Sequence, residues 1–155
     1  MTVSAWRIVQ ERHAAEAFSG EGARLYGGRW NSPGIPMIYT AQSRALAALE
    51  MLVHLDSPRL LRSFLLFEVT FDDAVVMEIN PTDLPANWRD EPVPPGTQAI
   101  GDAWAAKAAT PILRVPSVLI PQEGNFLLNP RHPEMSKVQF GKPEQFAFDP
   151  RLRDR

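Results

Sequence analysis

The chain has 155 residues, 45% of them hydrophobic and 22% charged, with a net charge of −2, a makeup that suits one domain with a real core. It has no cysteine, which excludes a disulfide framework, thiolate catalysis and cysteine metal sites and fits a reducing cytoplasm. No basic stripe suggests direct nucleic-acid binding, no apolar run approaches the ~18 residues that span a bilayer, and the opening MTVSAWRIVQERH carries no apolar secretion signal.

Residues 4–9 (SAWRIV) read as a strand interrupted by Arg7, and residues 13–18 as a short helical turn that Gly20 and Gly22 end. Residues 25–36 form a loop by composition, with three glycines, two prolines and an Asn-Ser-Pro-Gly turn. A short buried strand follows at residues 37–40. Ser43 is placed to cap a helix running to about Leu55, with Leu46, Leu49 and Val53 as its buried stripe and Pro58 beyond its end.

Residues 64–71 and 75–79 read as two strands around an Asp72-Asp73 turn, a hairpin-like unit. Of the 15 prolines, 12 lie from Pro81 onward, so the second half should be short strands and loops rather than long helices. Residues 80–98 are a proline-rich excursion, and residues 98–109 a second amphipathic helix. Short strands are expected at 112–115, 117–120 and 126–128, with a Gly124-Asn125 turn, and at 138–140 and 145–148. Two main helices set irregularly among many short strands argue for an α+β fold over residues 1–155.

Four positions stand out chemically. Arg29 follows Gly27 and Gly28, and glycines let backbone approach a ligand closely, so its guanidinium can grip a diphosphate; the plainer reading is a surface arginine in a turn. Glu50 lies beside the apolar stripe of its helix, where a desolvated carboxylate is costly unless something positive or hydrogen-bonding meets it. Arg7 points either to water or to Glu50 or a ligand. Ser117 lacks a nucleophile elbow, which suits a hydroxyl that orients Glu50 or meets a ligand. Tyr26, Trp30 and Tyr39 offer aromatic faces, although core filling is their ordinary role. No histidine pair has metal-ligand spacing, and no metal is expected.

The pattern resembles the RES domain family, named for an arginine, a glutamate and a serine. The likeness is carried by AWRIV at 5–9, GGRWNSPGIPMIYTA at 27–41, ALAALEMLVHL at 45–55, VPSVLIPQEGNFLLNPRHPE at 115–134 and FAFDPRL at 146–152. It implies an ADP-ribosyltransferase-like fold and a toxin of a bacterial type II toxin–antitoxin system that consumes NAD+ as substrate, with no cofactor. By that resemblance Glu50, Arg7, Tyr39 and Ser117 are the catalytic candidates, with Arg7 as the named arginine. Arg29, Tyr26, Trp30 and Asn31 are the candidates for holding NAD+. The acceptor of ADP-ribose is water, phosphate or a protein side chain, and a catalytically silent partner-binding module is the other class. The resemblance also implies a neutralising antitoxin with a helix-turn-helix DNA-binding part, and a homodimeric toxin.

Overall fold

A computed structural model describes residues 1–153. The strands are β1 (Thr2–Gln10), β2 (Ile38–Ala41), β3 (Phe64–Asp72), β4 (Val76–Glu78), β5 (Ile112–Pro116), β6 (Gly124–Leu128), β7 (Gln139–Phe140) and β8 (Glu144–Phe146). They form one sheet in the order β4-β5-β6-β2-β1-β3-β7, with β8 also on β3, and all pairs are antiparallel except β4 with β5. The helices are α1 (Glu21–Tyr26), α2 (Arg44–Val53), α3 (Ser57–Leu60) and α4 (Pro95–Lys107). No helix of the described residues is long and apolar enough to cross a membrane.

The hairpin expected from residues 64–79 does not form. β3 and β4 are joined only by a 3-10 turn, Asp73–Val75, yet they stand five places apart in the sheet. At ~4.8 Å per strand a flat sheet would separate them by ~24 Å, while three residues reach roughly 10 Å. The sheet therefore curls back on itself. Phe71 of β3 and Phe126 of β6 meet inside the curl, their ring centroids 5.3 Å apart. Ala5, Ile38, Val69, Ile112 and Leu128 complete that inner core.

Period-two alternation sends the other residues of these strands to the outer face, where the helices lie. Ile8 and Ala41 pack against Leu46 and Ala47 of α2. Leu113, Val115 and Leu127 pack with Trp30, Met37 and Trp104 of α4. Ser43 caps α2 as expected, its hydroxyl accepting from the Leu46 amide at 3.0 Å, a bond worth ~1 kcal/mol. The buried stripe is rotated from the expected one. Leu46 and Ala47 are inside, whereas Leu49 and Val53 are 40% and 59% exposed. The helix faces the sheet through small Ala47, so Glu50, one turn on, looks inward.

Two further expectations fail for local reasons. Residues 117–120 are not a strand, because the Ser117 hydroxyl accepts from the amides of Leu119 and Ile120 and folds the chain into a turn. Asn125 does not sit in a turn but in β6, paired with Val115 and Ala41. The loop after α1 is held by α4: Gln98 Nε2 donates to the Gly28 carbonyl at 3.1 Å, and Asp102 accepts from the Ser32 amide at 2.9 Å.

Gly101 permits that docking, since a Cβ there would lie 1.7 Å from the Trp30 carbonyl oxygen. Gly101→Ala should therefore cost about 3 kcal/mol or more of folding stability. Urea denaturation checks this, and a wild-type midpoint would contradict the packing described.

Candidate active site

The sheet has one weak seam. β2 pairs with β6 along all four residues, but it pairs with β1 only at Trp6–Ala41. Beyond that pair the two strands part. A cavity of about 710 Å³ opens over the parting, lined on one side by Trp6, Arg7 and Ile8 and on the other by Tyr39, Thr40 and Ala41. α2 contributes Ala47, Glu50, Met51 and His54 to its wall, and the glycine loop contributes Gly27 through Trp30. The volume lies within the ~300–1,000 Å³ of small-molecule sites.

Arg7 occupies the seam. Its Nε donates to the Ala17 carbonyl at 2.7 Å and its Nη1 to the Tyr39 carbonyl at 2.9 Å. The side chain thus supplies hydrogen bonds where the β1–β2 ladder has ended. Among the described residues no carboxylate pairs with it, and Nη2 has no protein partner. No buried side-chain nitrogen or oxygen of the described residues lacks a partner, so Nη2 must be open to the cavity. Burial lowers the guanidinium pKa to about 10, which leaves the group charged at neutral pH.

Glu50 is the opposite charge of the same cavity, and it too has no ionic partner among the described residues. Oε2 accepts from Ser117 Oγ at 3.0 Å, and Oε1 accepts from Asn125 Nδ2 at 2.8 Å. Both donors are neutral, so they fix the carboxylate without cancelling its charge. Burial pushes its pKa up, the two hydrogen bonds oppose that, and the nearby Glu123 carboxylate adds to the rise. Ser117 itself is fully buried and does not line the cavity. Its contact is with the Glu50 carboxylate rather than with the cavity.

The other candidates divide. Tyr39 lines the cavity while its hydroxyl donates to Asn31 Oδ1 at 2.6 Å and accepts from the Trp30 amide at 3.0 Å. Burial holds that hydroxyl above the usual tyrosine range. The loop can approach the ring only because residue 28 is glycine: a Cβ there would lie 2.6 Å from the Tyr39 hydroxyl. Asn31 is fully buried and away from the cavity, its Nδ2 donating to the carbonyls of Ala23, Ser32 and Ile35. Trp30 is 2% exposed and belongs to the core under α4, so its indole offers little face for stacking. Tyr26, 84% exposed, stands at the rim. Arg29 lines the cavity, but it donates to the Trp88 and Asp90 carbonyls and pairs with the exposed Glu91. That grip ties the proline-rich excursion to the glycine loop.

Asn125 is the site residue the sequence reading missed. Phe126 and Leu128 face the inner core, so alternation sends Asn125 to the outer face toward α2. A polar residue within an apolar strand was the signal available.

The RES domain family model matches residues 4–149, nearly the whole chain. The chain belongs to the RES domain family. It is 45% identical over 152 residues to "Toxin Res" of Yersinia enterocolitica, covering 96% of this chain and 98% of that protein. It is 40% identical over 157 residues to the "Prs ADP-ribosylating toxin" of Sphingobium sp., covering 98% of each. Its fold is similar to that in the crystal structure of the M. tuberculosis MbcT–MbcA toxin–antitoxin complex, with a TM-score of 0.79, 21% identity, and coverage of 99% of this chain and 87% of that one. Several curated relatives of the chain bear the name "Toxin Res", and the α+β fold expected for the chain is the one found.

The raised Glu50 pKa bears on stability. A carboxyl whose folded pKa exceeds its unfolded value favours folding most at pH below the unfolded pKa, and that contribution is lost as pH rises through the folded value. Glu50→Gln should therefore equal or exceed wild type in stability at pH 8, with the gap closing toward pH 4. Urea melts at the two pH values test this. A Glu50→Gln variant clearly less stable than wild type at pH 8 would show that the ionised carboxylate supports the fold.

Proposed function

We propose that this RES-domain toxin cleaves the nicotinamide–ribose bond of NAD+ and passes the ADP-ribose to water or inorganic phosphate. One observation carries the reading: a carboxylate and a guanidinium, neither paired with an opposite charge, line one cavity of dinucleotide size. Leaving charges uncompensated in a partly desolvated site is costly, and a ligand carrying both charges removes the cost. NAD+ has an anionic diphosphate and a cationic pyridinium.

In the reaction the C1′–N bond breaks, its electron pair goes to the ring, and neutral nicotinamide departs. No general acid is needed, because the leaving group is already positively charged. The ribose passes through an oxocarbenium-like state. Glu50 stabilises that developing positive charge, and its two neutral donors leave the full negative charge available. Water then bonds to C1′ and releases a proton to solvent, or an anionic phosphate oxygen bonds to C1′ without losing one. Arg7 holds the diphosphate through Nη2, and Arg29 joins it by exchanging the exposed Glu91 for a phosphate oxygen. Tyr39 packs against the nicotinamide end, and Ser117 keeps Glu50 in place.

A second reading, transfer of ADP-ribose to a protein, is favoured by the name of the Sphingobium relative, an ADP-ribosylating toxin. It shares every step up to the acceptor. The structural neighbour is the toxin of a toxin–antitoxin complex, which supports an antitoxin as the partner. We expect that antitoxin to carry a helix-turn-helix DNA-binding part, and the toxin to meet it as a homodimer.

Purified protein incubated with NAD+, with and without phosphate, should release nicotinamide, and mass spectrometry of the other product identifies the acceptor. Glu50→Gln should slow nicotinamide release by a factor of ~100 or more while the fold persists. Because only ionised Glu50 serves, wild-type kcat/KM should fall on the acid side with a midpoint above that of an ordinary glutamate. NAD+ loss at the wild-type rate in the Glu50→Gln variant would rule out this role for Glu50. No NAD+ loss with wild type, alongside tight partner binding, would favour the silent-module class.

A further inference from the structure

Asn125 has a fixed orientation. Its Nδ2 donates both to Glu50 Oε1 at 2.8 Å and to the Thr40 carbonyl at 3.2 Å. A backbone carbonyl can only accept, so the amide nitrogen must face that side and cannot exchange places with the oxygen. Oδ1 accepts no hydrogen bond from the protein, and no buried side-chain oxygen of the described residues lacks a partner. Asn125 lines the cavity, so Oδ1 is open to it. The cavity wall thus offers two neighbouring acceptors joined through Nδ2, the Glu50 carboxylate and the Asn125 carbonyl oxygen.

Two acceptors side by side match two hydroxyl donors on adjacent carbons. Resting on the NAD+ reading above, we infer that Asn125 is a positioning residue of this site and that its Oδ1, beside the Glu50 carboxylate, takes one of the two vicinal hydroxyls of a ribose. One amide then does two things: its nitrogen sets the carboxylate and its oxygen orients the sugar relative to it. Thr40 anchors the arrangement from β2, its own hydroxyl bonded to the Phe126 carbonyl at 2.8 Å, so the acceptor pair stands on a rigid strand rather than a loop.

The test uses Asn125→Ala and Asn125→Ser, each checked for folding by thermal melting, so that a misfolded variant does not decide the matter. First, the Glu50 carboxyl is titrated by carbon-13 NMR in wild type and variants. Loss of the Nδ2 donor should move its midpoint upward, and an unchanged midpoint in both folded variants overturns the positioning role. Second, kcat and KM are measured with NAD+ and with two analogues lacking the 2′- or the 3′-hydroxyl of the nicotinamide ribose. Asn125→Ala should lower kcat/KM on NAD+ by about tenfold to a hundredfold. For one analogue, the one missing the hydroxyl that Oδ1 takes, the wild-type-to-variant ratio should fall toward one. An equal ratio for NAD+ and both analogues overturns the sugar contact. A wild-type protein that leaves NAD+ intact removes the NAD+ reading and the sugar contact with it, while the titration still decides whether Asn125 sets Glu50.

Discussion

The site depends on the unfinished seam between β1 and β2. A sheet that curls until its ends meet must accommodate strong twist somewhere, and here the ladder between these two strands stops after Trp6–Ala41. Two backbone edges left open inside a core would be untenable. Arg7 answers part of that demand by donating across the parting to the Tyr39 carbonyl and back to the Ala17 carbonyl. The same guanidinium that closes the backbone brings an uncancelled positive charge to the cavity. In the proposed reaction one side chain thus meets both the structural need and the binding of the ligand.

Glu50 follows from how α2 sits on the sheet. Small Ala47 at the helix–sheet contact lets the helix lie close, and the residue one turn on is carried toward β6. There it meets Asn125, whose partner on β2 is Ala41, and Ser117, which ends β5 in a turn. The segments around residues 117 and 125, both far in sequence from α2, meet it at this point and place neutral donors on its carboxylate. Neither supplies a cation, so the carboxylate keeps its charge uncancelled, which is what the proposed chemistry at a positively charged ribose requires. The cost is a carboxylate that burial makes reluctant to ionise.

Much of this was legible beforehand because it is local. The β1 strand and the Ser43 cap follow from alternation and capping, and the glycine loop from composition. What could not be read was non-local. Nothing in FLLFEVTF-DDAVVMEI tells that the second strand leaves for the other end of a curled sheet, since a curl is a property of all the strands together. The rotation of α2 that exposes Leu49 and Val53 goes with small Ala47, not Leu49, packing against the sheet. Arg29, singled out as a phosphate ligand, is held by carbonyls from residues 88 and 90, partners that no spacing announces. Asn125 was hidden by its glycine neighbour, which suggested a turn where a strand begins.

The proposed chemistry stands or falls with Arg7 gripping the diphosphate and Glu50 the nicotinamide ribose of one dinucleotide. A crystal structure of the Glu50→Gln variant soaked with NAD+ tests it most directly. The diphosphate should lie against Arg7 Nη2, with the nicotinamide ribose beside residues 50 and 125. A dinucleotide bound elsewhere, or one whose ribose lies away from residue 50, would contradict it.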